Sequence, residues 1–305
     1  MHILNLIRWK NLLLIVIAQL LIKYALFESF DIITTLNALG FSLLVITTLC
    51  IAAAGNIIND IYDLETDGIN KPNQVIIGRQ ISENLAYNLF FTLNIVGIIL
   101  GFYLAHSVGE SSFFAIFVII SLALYVYASY LKGTVLFGNI LISLLVAMSI
   151  TIVGIFDLLP AIIPQNRATQ LTFFDIVFDY AIFAFLITLI REMVKDIQDV
   201  DGDYKAGMNT LPIVLGRERA NKIAFLVSMI PIGAVIYFMV TYLYTQPVAI
   251  GYFLLFVIGP LIYATIKIFG ASNNFHYKHI SLVYKLIMLF GILSLLLYPF
   301  IIKTA

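Results

Sequence analysis

Apolar residues run in stretches of about twenty along the whole chain, broken by short polar connections. Nine stretches can be marked, at residues 11–29, 38–58, 85–106, 112–131, 135–158, 174–194, 222–242, 247–269 and 280–301. Each approaches the roughly 20 residues that carry a helix across hydrocarbon. In lipid the backbone must meet its hydrogen bonds within a helix or a closed barrel, and alternation with a period of two is not the dominant pattern here. The expectation is an all-α polytopic membrane protein, a bundle of nine transmembrane helices forming one domain over residues 1–305. Gln19 and Lys23 interrupt the first stretch. The longer polar connections, at about 59–84 and 191–221, follow the second and sixth stretches, while 159–173 reads as a turn and an interfacial connector.

Composition agrees with the pattern. Of 305 residues, 62% are hydrophobic and 11% charged, against about 25% charged in an ordinary soluble domain. Mean hydropathy is +1.03. The 17 Lys+Arg balance the 17 Asp+Glu, so no bulk charge recruits nucleic acid. Cys50 is the single cysteine and lies in an apolar stretch, which reads as a packed thiol. Arg8 and Lys10 precede the first stretch with no small-residue cleavage signature, so an uncleaved first helix is expected.

The basic residues orient the bundle. With the N-terminus cytoplasmic, only Lys23, Arg167 and Lys303 fall on the opposite side and Lys285 falls within the last stretch; all the other Lys and Arg face the cytoplasm. The positive-inside rule selects that orientation, which puts both longer connections in the cytoplasm.

Those two connections carry the acidic residues that need explaining. "NDIYDLETD" places Asp60, Asp63 and Asp67 at D-x2-D-x3-D, and "KDIQDVDGD" repeats the spacing in Asp196, Asp199 and Asp203. Spacings of three and four put each triplet on one helical face, leaving Glu65 off the column and solvated. One such triplet alone reads as a solvated cap; the same spacing on the same side after two separate spans reads as two halves of a site. Like charges stacked near a membrane call for a cation. Mg2+ is a hard ion that takes oxygen ligands and phosphate oxygens, so two facing columns suit two Mg2+ ions bridged by a diphosphate. Asn59 is either a cap or a further ligand. Zinc is disfavoured by the single Cys and by the unrelated spacing of His2, His106, His276 and His279.

A diphosphate beside a large apolar volume suggests a polyisoprenyl diphosphate. Metal coordination would make the diphosphate a good leaving group, and the allylic cation left behind needs dry, aromatic surroundings. Tyr125, Tyr127 and Tyr130 lie near Lys132, although most aromatics in so greasy a chain must be packing. Lys132 reads equally as a topology anchor or as a phosphate contact.

These residues resemble the UbiA-type family of intramembrane prenyltransferases, which have nine membrane helices and two Asp-rich motifs and use Mg2+ to move a prenyl group from its diphosphate to an acceptor. The first family motif, N-D-x-x-D-x-x-x-D, matches Asn59, Asp60, Asp63 and Asp67; the second, D-x-x-x-D, matches Asp199 and Asp203, with Asp196 an extra acidic position. The resemblance implies catalytic roles for those five family-motif aspartates and metal ligation by them together with Asn59 and Asp196. It implies diphosphate contacts for Asn59, Lys71, Arg79, Lys132 and Lys195, with Lys132 followed by Gly138 and Asn139 as in the family's fourth-helix motif. Arg8 and Asn11 resemble a pair near the acceptor end of the site, and read equally as an interfacial anchor and a cap.

One segment departs from the family. "NKPNQVIIGRQIS" keeps Asn70, Lys71, Pro72 and Gly78 but lacks an arginine and two prolines, leaving Arg79 to supply charge. "REMVKDIQDVDGDYKAGMNTLPI" is most similar to the subgroup that transfers geranylgeranyl to geranylgeranylglyceryl phosphate, a hydroxyl acceptor in a prokaryotic inner or plasma membrane. An aromatic or quinone precursor remains open, as do, from other classes, a Mg2+ transporter and a CDP-alcohol phosphotransferase. The last lacks its D-G-x2-A-R signature here. The implied partners are a polyprenyl diphosphate, a membrane-associated acceptor and the bilayer, with no nucleic acid and no obligate protein partner.

Overall fold

The computed structural model describes residues 1–302, so Lys303 lies outside the described residues. Among them, nine helices are long and apolar enough to cross a membrane: α1 (Trp9–Phe30), α2 (Ala38–Tyr62), α3 (Glu83–Ser107), α4 (Ser111–Ser129), α5 (Phe137–Ala161), α6 (Arg167–Lys205), α7 (Arg217–Tyr242), α8 (Pro247–Phe269) and α9 (Asn274–Phe300). Each stretch read from the sequence becomes one helix, and this is an integral multi-pass membrane protein. Wide apolar faces point outward, as on α3, where Phe91, Ile95, Ile99 and Phe102 are all exposed; in a bilayer that face meets lipid.

α2 packs on α3 and α4, and α5 packs on α6; α6 also contacts α7 and α9, placing it at the centre of the second half. α6 also corrects an expectation. The connection anticipated from residue 191 is helical as far as Lys205. At 39 residues and ~1.5 Å each, α6 spans about 58 Å, nearly twice the hydrocarbon core. Its polar last turns project beyond the apolar layer as a rigid post.

The 59–84 connection is also more ordered than a loop. It holds the short helix Leu64–Asn70, a 3-10 turn at Pro72–Gln74 and a bridge between Ile77 and Ile81. Gly78 supplies the left-handed turn inside that bridge at φ 79°. Ser82 then caps α3, accepting from Leu85 N at 3.3 Å.

At the far end of the bundle the interruption at Lys23 finds its reason. α1 widens to a π-helix over Leu21–Phe27, and the buried Lys23 ammonium reaches both carboxylate oxygens of Asp157 at 3.2 and 3.3 Å. It also donates to Leu36 O at 2.8 Å and Thr34 Oγ1 at 2.9 Å. Asp157 in turn accepts from Leu36 N at 2.9 Å. This buried pair ties α1, the following connection and α5 together, and each charge is satisfied by its neighbours.

Candidate active site

At the acidic end, α2 stops at Tyr62 and Asp63 is the hinge into Leu64–Asn70. The hydrogen-bond ladder continues through the break: Asp63 N donates to Asn59 O at 2.9 Å and Asp67 N to Asp63 O at 2.8 Å. The column expected from the spacing therefore survives, and one oxygen from each of Asp60, Asp63 and Asp67 lies within 4.8 Å of the others. Asn59 Nδ2 donates to Asp63 Oδ2 at 2.6 Å, and its buried Oδ1 has no hydrogen-bond partner. Three carboxylates and an orphaned amide oxygen are a hard-oxygen donor set of the kind Mg2+ takes, so the residues fit that ion. Glu65 is exposed, as expected.

The second column behaves differently. Its aspartates share one continuous helix, yet two of them are held by neighbours of their own. Asp196 accepts from Asn139 Nδ2 at 2.8 Å, Asp199 accepts from Lys71 Nζ at 2.5 Å, and buried Asp203 lies within electrostatic range of Lys132 and Asp63. Among the described residues, the three converging carboxylates are those of the first column.

Cations stitch the two columns. Arg8 sits in the left-handed region at φ 53°, costly for a non-glycine residue, and its Nη2 donates to Asp60 Oδ1 at 2.5 Å. Burial opposes its charge, but Asp60 and Asp63 outweigh that and hold the guanidinium pKa above its usual value. Lys132 pairs with Asp63; burial again works against the charge, and Asp63 raises the ammonium pKa overall. Lys71 reaches both sides, since it also lies 3.9 Å from Asp67. Asp67 is pushed above the usual carboxylate range by burial, which Lys71 offsets only in part while Asp63 and Asp60 add to it.

Two glycines make these approaches possible. Asn70 Nδ2 donates to Asp199 O at 2.8 Å and its Oδ1 accepts from Gly202 N at 2.9 Å. A Cβ on residue 202 would stand 2.4 Å from Asn70 Nδ2. At Gly138 a Cβ would stand 2.7 Å from Leu131 O and 2.9 Å from Lys132 Cα, so only glycine lets the Lys132 turn lie against the start of α5.

These groups line one end of a cavity of about 750 Å3 whose deeper wall includes Leu12, Ile51, Phe117, Leu124, Val146 and Ile292. Charged mouth and apolar interior suit an amphiphile with a phosphorylated head. Of the predicted residues, Asn59, Lys71, Lys132, Lys195, Arg8, Asn11 and all six aspartates line it. Arg79 does not; its guanidinium donates to Pro72 O at 2.7 Å, bracing the loop. Lys195 is engaged by Glu192 at 2.7 Å. Of the three tyrosines near Lys132, Tyr127 lines the cavity, Tyr130 is exposed and the Tyr125 hydroxyl meets that of Tyr62 at 3.1 Å. Sequence reasoning missed Glu192, Arg191 and Lys285 as lining residues. A charge within or at the edge of an apolar stretch was the available signal.

Comparison with known proteins places this arrangement. The UbiA prenyltransferase family model matches residues 12–275. Digeranylgeranylglyceryl phosphate synthase of Korarchaeum cryptofilum is 32% identical over 247 residues, 81% of each chain. The enzyme of that name from Methanosphaera stadtmanae is 32% identical over 61% of this chain and 63% of its own length. A solved digeranylgeranylglyceryl phosphate synthase superposes with a TM-score of 0.60 at 24% identity, covering 97% of this chain and 98% of that one. A UbiA homolog from Archaeoglobus fulgidus bound to GPP and Mg2+ superposes at 0.55 with 16% identity, covering 97% and 99%. At those identities the likeness of the solved structures concerns the fold.

Proposed function

This chain belongs to the UbiA prenyltransferase family, and from that premise we propose that it transfers a polyisoprenyl group from its diphosphate to the hydroxyl of a prenylglyceryl phosphate. It is a membrane prenyltransferase; the acceptor and the residue roles are our reading. The observation that carries it is Lys71, which bridges Asp67 and Asp199 at the mouth of a cavity with an apolar interior. The relatives named for digeranylgeranylglyceryl phosphate support the hydroxyl acceptor.

Asn59, Asp60, Asp63 and Asp67 would hold one Mg2+, and Asp196, Asp199 and Asp203, which line the same cavity, would supply the carboxylates for a second. Bound Mg2+ supplies Lewis acidity and a template for the diphosphate oxygens. Lys132 and Lys71 exchange carboxylate partners for phosphate oxygens, so charge is neutralised where it develops. The C1–O bond breaks with its electron pair leaving on the diphosphate. The acceptor hydroxyl oxygen forms the new C1–O bond and passes its proton to the departing diphosphate, which leaves carrying the electron pair and that proton. The apolar wall buries the tail and keeps water from the allylic cation, while the Tyr127 ring supplies an aromatic face. An apolar wall beyond the carboxylates offers an ion no route across, which argues against a Mg2+ transporter. The excess of basic residues at the acidic end supports a cytoplasmic N-terminus and cytoplasmic Asp-rich segments.

Labelled geranylgeranyl diphosphate, incubated with membranes holding this chain and a panel of acceptors, tests the reading. An ether product on the prenylglyceryl phosphate is expected. Prenylation at ring carbon of an aromatic acceptor, with no ether formed, would overturn it.

A further inference from the structure

Lys285 lies midway along α9, where an ionisable group is expensive and marks function by default. Its ammonium donates to Asn11 Oδ1 on α1 at 2.7 Å, and among the described residues it has no carboxylate partner. Arg191 of α6 is close enough to Lys285 to interact electrostatically. Arg191 Nη1 bonds Glu192 Oε1 at 2.9 Å, and Lys195 takes the other carboxylate oxygen at 2.7 Å. Two cations thus share a single carboxylate. The Arg191 Nε is buried with no partner at all. Arg191, Lys195, Lys285, Asn11 and Glu192 all line the one cavity.

The other cations of the site are already matched: Arg8 by Asp60, Lys132 by Asp63 and Lys71 by Asp199. Glu192 answers Arg191 and Lys195, and Asp196 lies within electrostatic range of Lys195, which leaves Lys285 without a carboxylate and one guanidinium donor unused. A half-buried lysine with no carboxylate, beside a buried guanidinium N–H with no acceptor, suits an anion. A phosphate monoester carries about −1.5 to −2 at neutral pH and offers three acceptor oxygens, which suits a guanidinium fork beside a lysine point charge. A neutral acceptor would leave these groups unpaired.

We propose that Arg191, Lys285 and Asn11 form the subsite that holds the phosphate of the acceptor, separate from the residues that hold the donor diphosphate. This rests on the reading of the acceptor as a prenylglyceryl phosphate. Lys285 and Arg191 are then the residues that select a phosphate-bearing acceptor over a neutral one, because a neutral acceptor leaves the buried Arg191 Nε without an acceptor and Lys285 without a counter-charge.

The test uses the purified full-length chain with Mg2+, geranylgeranyl diphosphate, and either geranylgeranylglyceryl phosphate or geranylgeranylglycerol. Lys285→Gln should raise the KM of the phosphate-bearing acceptor about tenfold or more, as for loss of one charge-assisted hydrogen bond. The KM of the prenyl diphosphate should not move, the phosphate-free acceptor should be used equally by both proteins, and Lys285→Arg should recover most of the loss. A rise in the prenyl diphosphate KM instead, or an equal loss with both acceptors, would overturn the subsite. A second arm measures the thermal stabilisation of the protein by glycerol phosphate, expected for the wild type and lost in Lys285→Gln. Turnover together with stabilisation that does not depend on Lys285 sinks the subsite while sparing the acceptor reading. No turnover of either acceptor, with Lys285-dependent stabilisation, sinks the acceptor reading and leaves the subsite standing. If Lys285→Gln fails to fold, Arg191→Gln gives the same comparison.

Discussion

Lys71 donates to the Asp199 carboxylate at 2.5 Å across 128 positions of sequence, so one ammonium joins the end of the first acidic motif to the middle of the second. The bond holds the segment after α2 against the projecting end of α6. It also keeps a cation poised where a diphosphate would bridge the two. Lys71→Met should lower kcat/KM by roughly two orders of magnitude, the ~2–3 kcal/mol expected from a charge-assisted contact used in the transition state. Steady-state prenyl transfer measures this, and an effect within twofold would contradict the role.

The Asn70–Gly202 contact is the uncharged half of the same junction. Gly202→Ala puts a methyl 2.4 Å from Asn70 Nδ2, so the Asn70 amide must turn away and lose both hydrogen bonds, or its segment must shift, at about 1–3 kcal/mol. Asn70→Ala instead leaves the space and removes two hydrogen bonds. Both variants should need more Mg2+ for half-maximal activity, and Gly202→Ala should lose more thermal stability than Asn70→Ala. The reverse order of stability would show that this close approach is not a constraint.

The Lys23–Asp157 pair is buried at the end away from the chemistry. Removing one partner leaves a lone buried charge, so Lys23→Met should destabilise the protein by ~3–5 kcal/mol. Lys23→Met with Asp157→Leu should recover much of that, because neither charge is then stranded. Thermal unfolding in detergent reads both; equal stability of the single and double variants would contradict a mutually dependent pair.

Asp67 sets the direction of a pH effect. Its carboxyl lies above the usual carboxylate range because it is buried beside other acids, and Mg2+ takes only the ionised form. Affinity for Mg2+ should be complete well above that raised pKa and decline as pH falls through it, beginning at a higher pH than an ordinary aspartate would give. Activity titrated with Mg2+ across an acid series checks this, and Asp67→Asn should remove that part of the dependence. Affinity that rises on acidification would contradict it.

The spans and the acidic columns were legible because both are periodic. Apolar length reports a membrane crossing, and a 3–4 spacing reports a face even through the break at Asp63. Partners were not legible. Spacing fixes where Asp196 points, but only the fold brings Asn139 to it. Arg79 looked like Lys71 in the sequence, yet it turns to Pro72 and braces the loop. Lys23 and Lys285 broke apolar runs because each answers a group on another helix, Asp157 in one case and Asn11 in the other. Polar composition suggested a loop beyond residue 191, where a helix that outruns the membrane is just as polar.

The central claim is that the carboxylates of both motifs act together on a Mg2+–diphosphate head. Its most direct test is prenyl transfer by purified Asp63→Ala and Asp199→Ala, each checked for folding by its thermal transition and elution as a single species. Loss of transfer by about three orders of magnitude or more in both folded variants is the expected result. Wild-type transfer rates in either folded variant would contradict the account.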